Sequence, residues 1–314
     1  MATLIAIAPG TAMDQQRSEE QRNRNGNDAY PAAGVKSSSE ISLRNVTKRY
    51  PGAGRSATET LALESFNLDI AGSEIFSVVG PTGCGKSTAL NLIAGFEAPS
   101  SGQVLVEAAV VEEPGMDRAV VFQHPSLFPW MSVLENVTLG LKCHGIPAAE
   151  CTTRARKLLN AVGLKDFESH YPYQLSGGMQ QRVQIARALI SEPKVLLMDE
   201  PFGALDYQTR LMMQRLLLDL WKEFRPTIFF ITHDVTEAIF ISDHVVVMTR
   251  RPGKVKLRIE VKEPKPRSYS FLGSAEFVRL QGELLEAVQE EVELARGQVD
   301  RSSDDMSSGA QQRS

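Results

Sequence analysis

Cysteine is scarce in this chain, and long apolar runs and any large excess of one charge are missing altogether. The three cysteines among 314 residues, Cys84, Cys143 and Cys151, form no CxxC pair and are odd in number. Neither a disulfide framework nor a four-ligand zinc site is indicated, and the expected compartment is a reducing one. Cys143, His144 and Cys151 lie within a short stretch, but a scatter of this kind is far more often incidental than metal-binding. No apolar run approaches the roughly 20 residues needed to cross a bilayer. The opening MATLIAIAPGTAM lacks a basic n-region and makes a poor signal peptide. With 34 basic residues against 38 acidic ones, the net charge of -4 leaves no broad footprint for nucleic acid or an anionic membrane surface. No nucleic-acid partner is expected.

What remains is a composition of 42% hydrophobic residues, ordinary for a globular protein with a sizeable core. Residues 1–39, rich in Gln, Asn, Arg, Ser and Gly, are too polar to offset the entropy of ordering and are expected to be a disordered extension. The tail at 299–314 (RSSDDMSSGAQQRS at its close) is expected to behave alike. Between them lie short unalternating apolar runs, Ile75 to Val79, Ala119 to Phe122, Val195 to Met198, Ile228 to Ile231 and Val245 to Met248, separated by helical stretches. Runs of that kind are strands covered on both faces, so the fold class is α/β with a mainly parallel core sheet. The segments ISLRNVTKRY and TLALESFNLDI alternate and predict an antiparallel β subdomain ahead of the core. A helical pattern beginning at Val133 predicts a helical subdomain inserted at about 130–190. Phe277, Leu280, Leu284, Val288 and Val292 recur at helical spacing and predict a helix packed on the flank of a short β/helical extension at 249–298. No internal repeat is visible.

Three stretches carry chemistry. GPTGCGKST, spanning Gly80, Pro81, Thr82, Gly83, Cys84, Gly85, Lys86, Ser87 and Thr88, follows an apolar strand and matches G-x-x-x-x-G-K-[ST]. Its glycines let consecutive N–H groups face one anion, and the helix that starts near Lys86 adds its positive end. Lys86 reaches the terminal phosphates of a nucleotide, and the Ser87 hydroxyl is placed for magnesium. VLLMDEP puts Asp199 and Glu200 directly after a buried strand. In isolation such acids are caps or solvated groups. Behind a phosphate loop, Asp199 is set to hold magnesium through water and Glu200 to orient or deprotonate an attacking water. QLSGGMQQRVQIARAL opens a further helix with Ser176 as cap and Gly177 and Gly178 giving backbone access. It is either an ordinary N-cap or a second anion-binding end.

The order phosphate loop, Gln123, LSGGM, LLMDEP, GALD and then His233 resembles the ATP-binding subunits of ABC transporters, from Glu40 to Met248. The resemblance implies that two copies pair head to tail, so that Ser176, Gly177 and Gly178 of one close over the ATP held by the other. It also implies that Tyr50 stacks on adenine and that Gln123 contacts magnesium and the attacking water. By the same resemblance Asp206 is expected to speak to the opposite site, and His233 to touch the γ-phosphate and steady Glu200. Met179 stands where many relatives carry glutamine. Because Ser176 and the glycine backbone meet the phosphate, little is lost by it.

The segment FQHPSLFPWMSVLENVTLGL follows Gln123 with aromatics. Phe128, Pro129 and Trp130 read equally as a docking groove for a membrane subunit and as a small core under the helical subdomain. LFPW, the RRPGKV turn and the closing helix are similar to the importer ATPases for nitrate, taurine and aliphatic sulfonates. Relatives that import pyrimidine precursors, cyanate or bicarbonate share these features. The resemblance implies ATP and Mg2+ as ligands, a homodimer or a pairing with a close relative, transmembrane permease subunits, and indirectly a periplasmic or lipid-anchored solute-binding protein. It places the chain at the cytoplasmic face of the cell membrane. A soluble ABC ATPase acting on DNA, ribosomes or cluster assembly is the competing expectation; the lack of a coiled-coil insertion and of a basic patch speaks against it. A P-loop kinase leaves LSGGM unexplained.

Overall fold

The structure, a computed structural model, describes residues 41–52 and 59–311. The expected disordered extension at 1–39 lies outside them. Ten strands are described: β1 (Ile41–Tyr50), β2 (Thr60–Ile70), β3 (Ile75–Val79), β4 (Ser101–Val106), β5 (Ala109–Val110), β6 (Arg118–Val121), β7 (Val195–Asp199), β8 (Thr227–Ile231), β9 (His244–Met248) and β10 (Val255–Glu260). The helices are α1 (Lys86–Ala94), α2 (Val133–Cys143), α3 (Ala148–Ala161), α4 (Gly177–Leu189), α5 (Tyr207–Phe224), α6 (Val235–Ile241) and α7 (Ala275–Gln311).

The six-stranded sheet runs β10-β9-β3-β8-β7-β6, parallel throughout except for the antiparallel edge strand β10. Its central strands read as unbroken apolar runs because alternate residues feed two different cores. Ile75, Leu196, Met198, Ile228, Phe230, Val245 and Val247 face one cluster, with α2 to α7. Phe76, Val78, Val195, Leu197, Phe229, Ile231, Val246 and Met248 face the other, with α1 and the second sheet. At about 1.5–3 kcal/mol for each fully buried aliphatic or aromatic side chain, both faces hold these strands rigid. The loops at their carboxyl ends can then be positioned tightly.

The second sheet is antiparallel, in the order β2-β1-β4-β5. The alternation of β1 and β2 predicts their pairing; β4 and β5, which complete the sheet, carry no comparably clear pattern. The register slips between Leu43 and Val46, where Asn45 takes a positive φ of 49°. There the Asn45 N–H donates to Asn67 Oδ1 at 2.9 Å, repairing the ladder with a side chain.

Helices α2, α3 and α4 occupy the region read as helical. Ser132 and Glu135 form a reciprocal capping box at the start of α2. Buried Asn136 donates to the carbonyls of Phe128, Met131 and Ser132 and accepts from the Phe128 N–H. It thereby fixes the aromatic loop in front of the helix.

The terminal helix α7 buries Phe277, Leu280 and Leu284, as their spacing predicts. Its buried stripe then continues through Ala287 and Glu291, while Val288 and Val292 are only half-buried. The helix runs to Gln311, past residue 298, where composition predicts a disordered tail. Extending a helix already nucleated on a packed face costs little per residue, which a polar composition does not reveal. Arg267 is fully buried and spends its guanidinium on the carbonyls of Glu263, Ile239, Phe240 and Val261. Burial lowers its pKa to about 10. No helix among the described residues is long and apolar enough to cross a membrane.

Candidate functional site

Strand β3 is buried along its whole length and delivers the chain into the glycine-rich loop at fixed height and angle. Gly85, the N-cap of α1, has φ 110° and ψ 10°. A Cβ there would sit 2.8 Å from Leu63 Cδ2 and 3.1 Å from the Ala62 carbonyl, so the position requires glycine on both conformational and steric grounds. Buried Lys86 curls over the loop, its Nζ donating to the carbonyls of Gly80 at 2.9 Å and Pro81 at 3.1 Å. Cys84 is buried beneath it, and burial pushes its thiol pKa up, against the pull of the Lys86 charge.

An open cleft of about 220 Å³ is lined by Tyr50, Thr60, Ala62, Thr82, Gly83, Gly85, Lys86, Ser87, Thr88, Glu200 and Arg251. Tyr50 donates its hydroxyl to Thr88 Oγ1 at 3.3 Å, and burial raises its pKa. Its ring therefore stands beside the loop with its orientation set by a polar tether, as an aromatic platform for a flat base requires.

At the end of β7, Asp199 hydrogen-bonds Ser87, the second residue of α1. Burial raises the Asp199 pKa against that bond, and the neighbouring Glu200 charge raises it further. A carboxylate and a hydroxyl joined next to a phosphate loop form a hard oxygen donor set, which fits Mg2+. Glu200 has φ 44°, a left-handed conformation that non-glycine residues avoid. It is held there because its N–H donates to the Ile231 carbonyl of the adjacent strand at 2.9 Å, while its own carbonyl accepts from the Gly203 N–H at 3.1 Å. The side chain meets His233, with Nδ1 3.1 Å from Glu200 Oε2.

Gln123 arrives from the end of β6. A Cβ placed on Gly203 would lie 3.7 Å from Gln123 Nε2 and 3.7 Å from His233 Cε1, so Gln123, Glu200 and His233 surround one glycine. Three separate strand ends supply them, β6, β7 and β8.

Ser176, Gly177 and Gly178 are not among the residues that line this cleft. Ser176 caps α4 by accepting from the Met179 N–H at 3.4 Å, and nothing lies within 4 Å of the space beside Gly177. Gly178 abuts Thr209, whose N–H is capped by Asp206 at 3.1 Å, so LSGGM and GALD lie next to each other. The Thr209 hydroxyl and backbone N–H hold the Asp206 pKa low. Ser176 and Asp206 are thus helix caps, and the space beside Gly177 is open. Of the aromatic three, Trp130 and Pro129 are exposed, and Phe128 is half-buried between Trp130 and Arg187.

Two contributions were not apparent from residue type and spacing. Arg251, brought in by the turn after β9, donates through Nε and Nη2 to the Gly83 carbonyl. Glu237, buried in α6, accepts from Thr232 Oγ1 at 2.5 Å and Gln214 Nε2 at 3.0 Å. Thr232 in turn accepts from the Asp234 N–H, so Glu237 braces both neighbours of His233. The one available hint was the spacing of Asp234 and Glu237, which resembles a capping box.

The family model for ABC transporters matches residues 63–203. A taurine import ATP-binding protein of Rhizobium johnstonii is 50% identical over 200 residues, 64% of this chain and 76% of that protein. A nitrate import ATP-binding protein of Synechocystis is 46% identical over 230 residues, covering 71% and 86% of the two chains. Among solved structures, a dimeric ATP-binding cassette in a post-hydrolysis state bound to ADP and Pi superposes with a TM-score of 0.62 at 33% identity, over 71% of this chain and all of that one.

Proposed function

The chain belongs to the ABC transporter ATP-binding family, and on that premise we propose that two copies pair head to tail, close on two ATP molecules and drive a membrane permease that imports a small solute. It is an ATPase of that family, and its site residues divide between two chains. In this reading Tyr50 stacks on adenine, the segment from Gly80 to Thr88 wraps the phosphates, and Lys86 reaches the terminal ones. Ser87, Asp199 and Gln123 would hold Mg2+, which would neutralise phosphate charge when bound. Glu200 orients the water and accepts its proton. The water oxygen bonds to the γ-phosphorus as the bond to the bridging oxygen breaks, leaving ADP and phosphate. His233 keeps Glu200 in place and faces the γ-phosphate. Ser176, Gly177 and Gly178 close from the other copy, with Asp206 beside them.

A single observation carries the pairing: the N-terminus of α4, read here as a second anion-binding end, takes no part in the cleft of its own chain. The permease reading draws on two exposed aromatics, Phe122, next to Gln123 in the chain, and Trp130 in the loop that follows. Contacts there would feel Gln123 move. To shift a permease from 1:99 to 99:1 takes about 5.5 kcal/mol of differential binding, within reach of two ATP bound more tightly in the closed dimer than in the open one. Relatives that serve taurine and nitrate import favour a solute of that kind. The permease partner places the chain at the cytoplasmic face of the membrane.

The test is a pull-down from detergent-solubilised native membranes with tagged Glu200→Gln protein and ATP, followed by mass spectrometry. Recovery of a polytopic permease is the expected result. Recovery of ribosomes or cluster-assembly proteins instead would keep the ATPase and overturn the transport role.

A further inference from the structure

The turn between β9 and β10 touches the nucleotide cleft on one side and the terminal helix on the other. On the cleft side, Arg251 Nε and Nη2 donate to the Gly83 carbonyl at 3.2 and 3.1 Å, and the residue lines the same cleft as Lys86 and Tyr50. The turn is pressed against the phosphate loop. A Cβ on Gly253 would lie 2.3 Å from the Cys84 carbonyl oxygen, and the Gly253 N–H donates to the Ala62 carbonyl at 2.8 Å. On the far side, the Arg250 N–H donates to Glu291 Oε2 at 2.8 Å, and Glu291, buried in α7, pairs through Oε1 with Lys256 at 2.9 Å. Lys256 also donates to the Ala287 carbonyl of the same helix. The seat of the turn on the phosphate loop is thus fixed by a packed helix from the C-terminal segment.

Arginine has five N–H donors in a rigid fork. Two are committed to the Gly83 carbonyl, and the remainder are carried on an exposed side chain at the wall of the cleft. If holding that carbonyl were the whole task, a neutral amide would suffice. A permanent cation beside Lys86 adds attraction for a polyphosphate that grows with the ligand's charge.

We propose that Arg251 is a nucleotide-binding residue of this site, contributing positive charge toward the phosphates of ATP from a turn anchored on α7. The inference rests on the ATPase reading above and deepens it. It adds a basic residue that the glycine-rich motif does not contain.

The experiment is calorimetric binding of a non-hydrolysable ATP analogue and of ADP, each with Mg2+, to the full wild-type chain and to Arg251→Gln and Arg251→Lys. Gln keeps a donor for the Gly83 carbonyl but removes the charge; Lys keeps the charge. Loss of a charge-assisted contact predicts that Gln weakens the analogue about tenfold and ADP less, with Lys within about threefold of wild type. An Arg251→Gln chain whose affinities for both ligands match wild type would overturn the proposal. So would equal losses in Gln and Lys, because they would make Arg251 a brace for the loop and nothing more. A wild-type chain that binds neither nucleotide would sink the ATPase reading, and this inference with it.

Discussion

Two glycine-bearing helix N-termini of this protein are built in opposite ways. The α1 end is over-determined: its cap Gly85 has a left-handed backbone, and a Cβ there would sit 2.8 Å from Leu63 Cδ2. Lys86 is folded over the loop and pinned to two carbonyls. The α4 end is the reverse. Ser176 is a simple cap with an extended backbone, and the space beside Gly177 is open. The proposed reading gives the first end the anion of its own chain and leaves the second, which lines no cleft of its own, for the anion of a partner. On the head-to-tail pairing proposed above, a site divided this way binds ATP in one chain but hydrolyses it only when a second chain supplies the missing wall, which would make hydrolysis a report on pairing.

The strongest way to break this contrast is to damage each end separately and then mix the damaged chains. Ser176→Asp keeps a cap as good as serine, so folding stability should stay within about 0.5 kcal/mol, yet it aims a carboxylate at the phosphate of the partner site. Turnover should fall by about 100-fold or more, as when a transition-state donor is removed, while ATP affinity of the separate chain stays unchanged. Lys86→Ala should abolish turnover from the other side. Mixed together, the two variants form dimers with one site wholly intact and one doubly broken, so steady-state ATPase assays should recover activity that neither shows alone. No recovery would mean that each chain completes its own site.

Alanine scanning of the glycines sharpens the same contrast through stability. Gly85→Ala forces a side chain into a left-handed backbone against Leu63 and the Ala62 carbonyl, and should cost about 1–3 kcal/mol along with nucleotide binding. Gly177→Ala meets nothing within 4 Å at a helical position. It should stabilise the chain by about 0.4–1 kcal/mol through the unfolded state, even if it slows turnover. Denaturant midpoints of the two variants check both signs, and an equal cost at the two positions would erase the proposed difference in how the ends are built.

Much of the better-determined end was legible in the sequence because its constraints are local. A buried strand, glycines at fixed offsets, a lysine and two hydroxyls occupy consecutive positions, and Asp199 and Glu200 follow an equally apolar strand. What lay hidden came from far along the chain. Arg251 bonds to Gly83 from 168 residues away, through a turn whose place depends on Glu291 of α7. Glu237 stands three residues after the Asp234 cap, as many ordinary helix starts have it, and only the packing of α5 against α6 gives it Gln214 as a second donor. The left-handed backbone at Glu200 has no sequence signature, because a hydrogen bond to the next strand imposes it. Strand β4 opens with the exposed stretch Ser101 to Gln103, which breaks the apolar pattern that marked the other strands.

The smallest effect probes whether GALD is more than a cap, and it depends on pH. The Thr209 hydroxyl and backbone N–H stabilise the charged form of Asp206, so its folded pKa lies below the usual 3.8. A carboxylate depressed in the folded state contributes stability that is present above the unfolded pKa and is lost as pH falls through the folded one. Asp206→Asn preserves the capping geometry and removes only the charge. Wild type should therefore melt slightly above the variant at pH 6 to 7, by about a degree at most for an exposed cap, and the gap should close as pH falls below about 4. A gap that does not narrow at all as the pH is lowered would place the stabilising contact in the side chain's shape instead. If turnover of Asp206→Asn at pH 7 falls much more than that small loss of stability can explain, the residue acts across the pairing surface, on the same side of the molecule as Ser176.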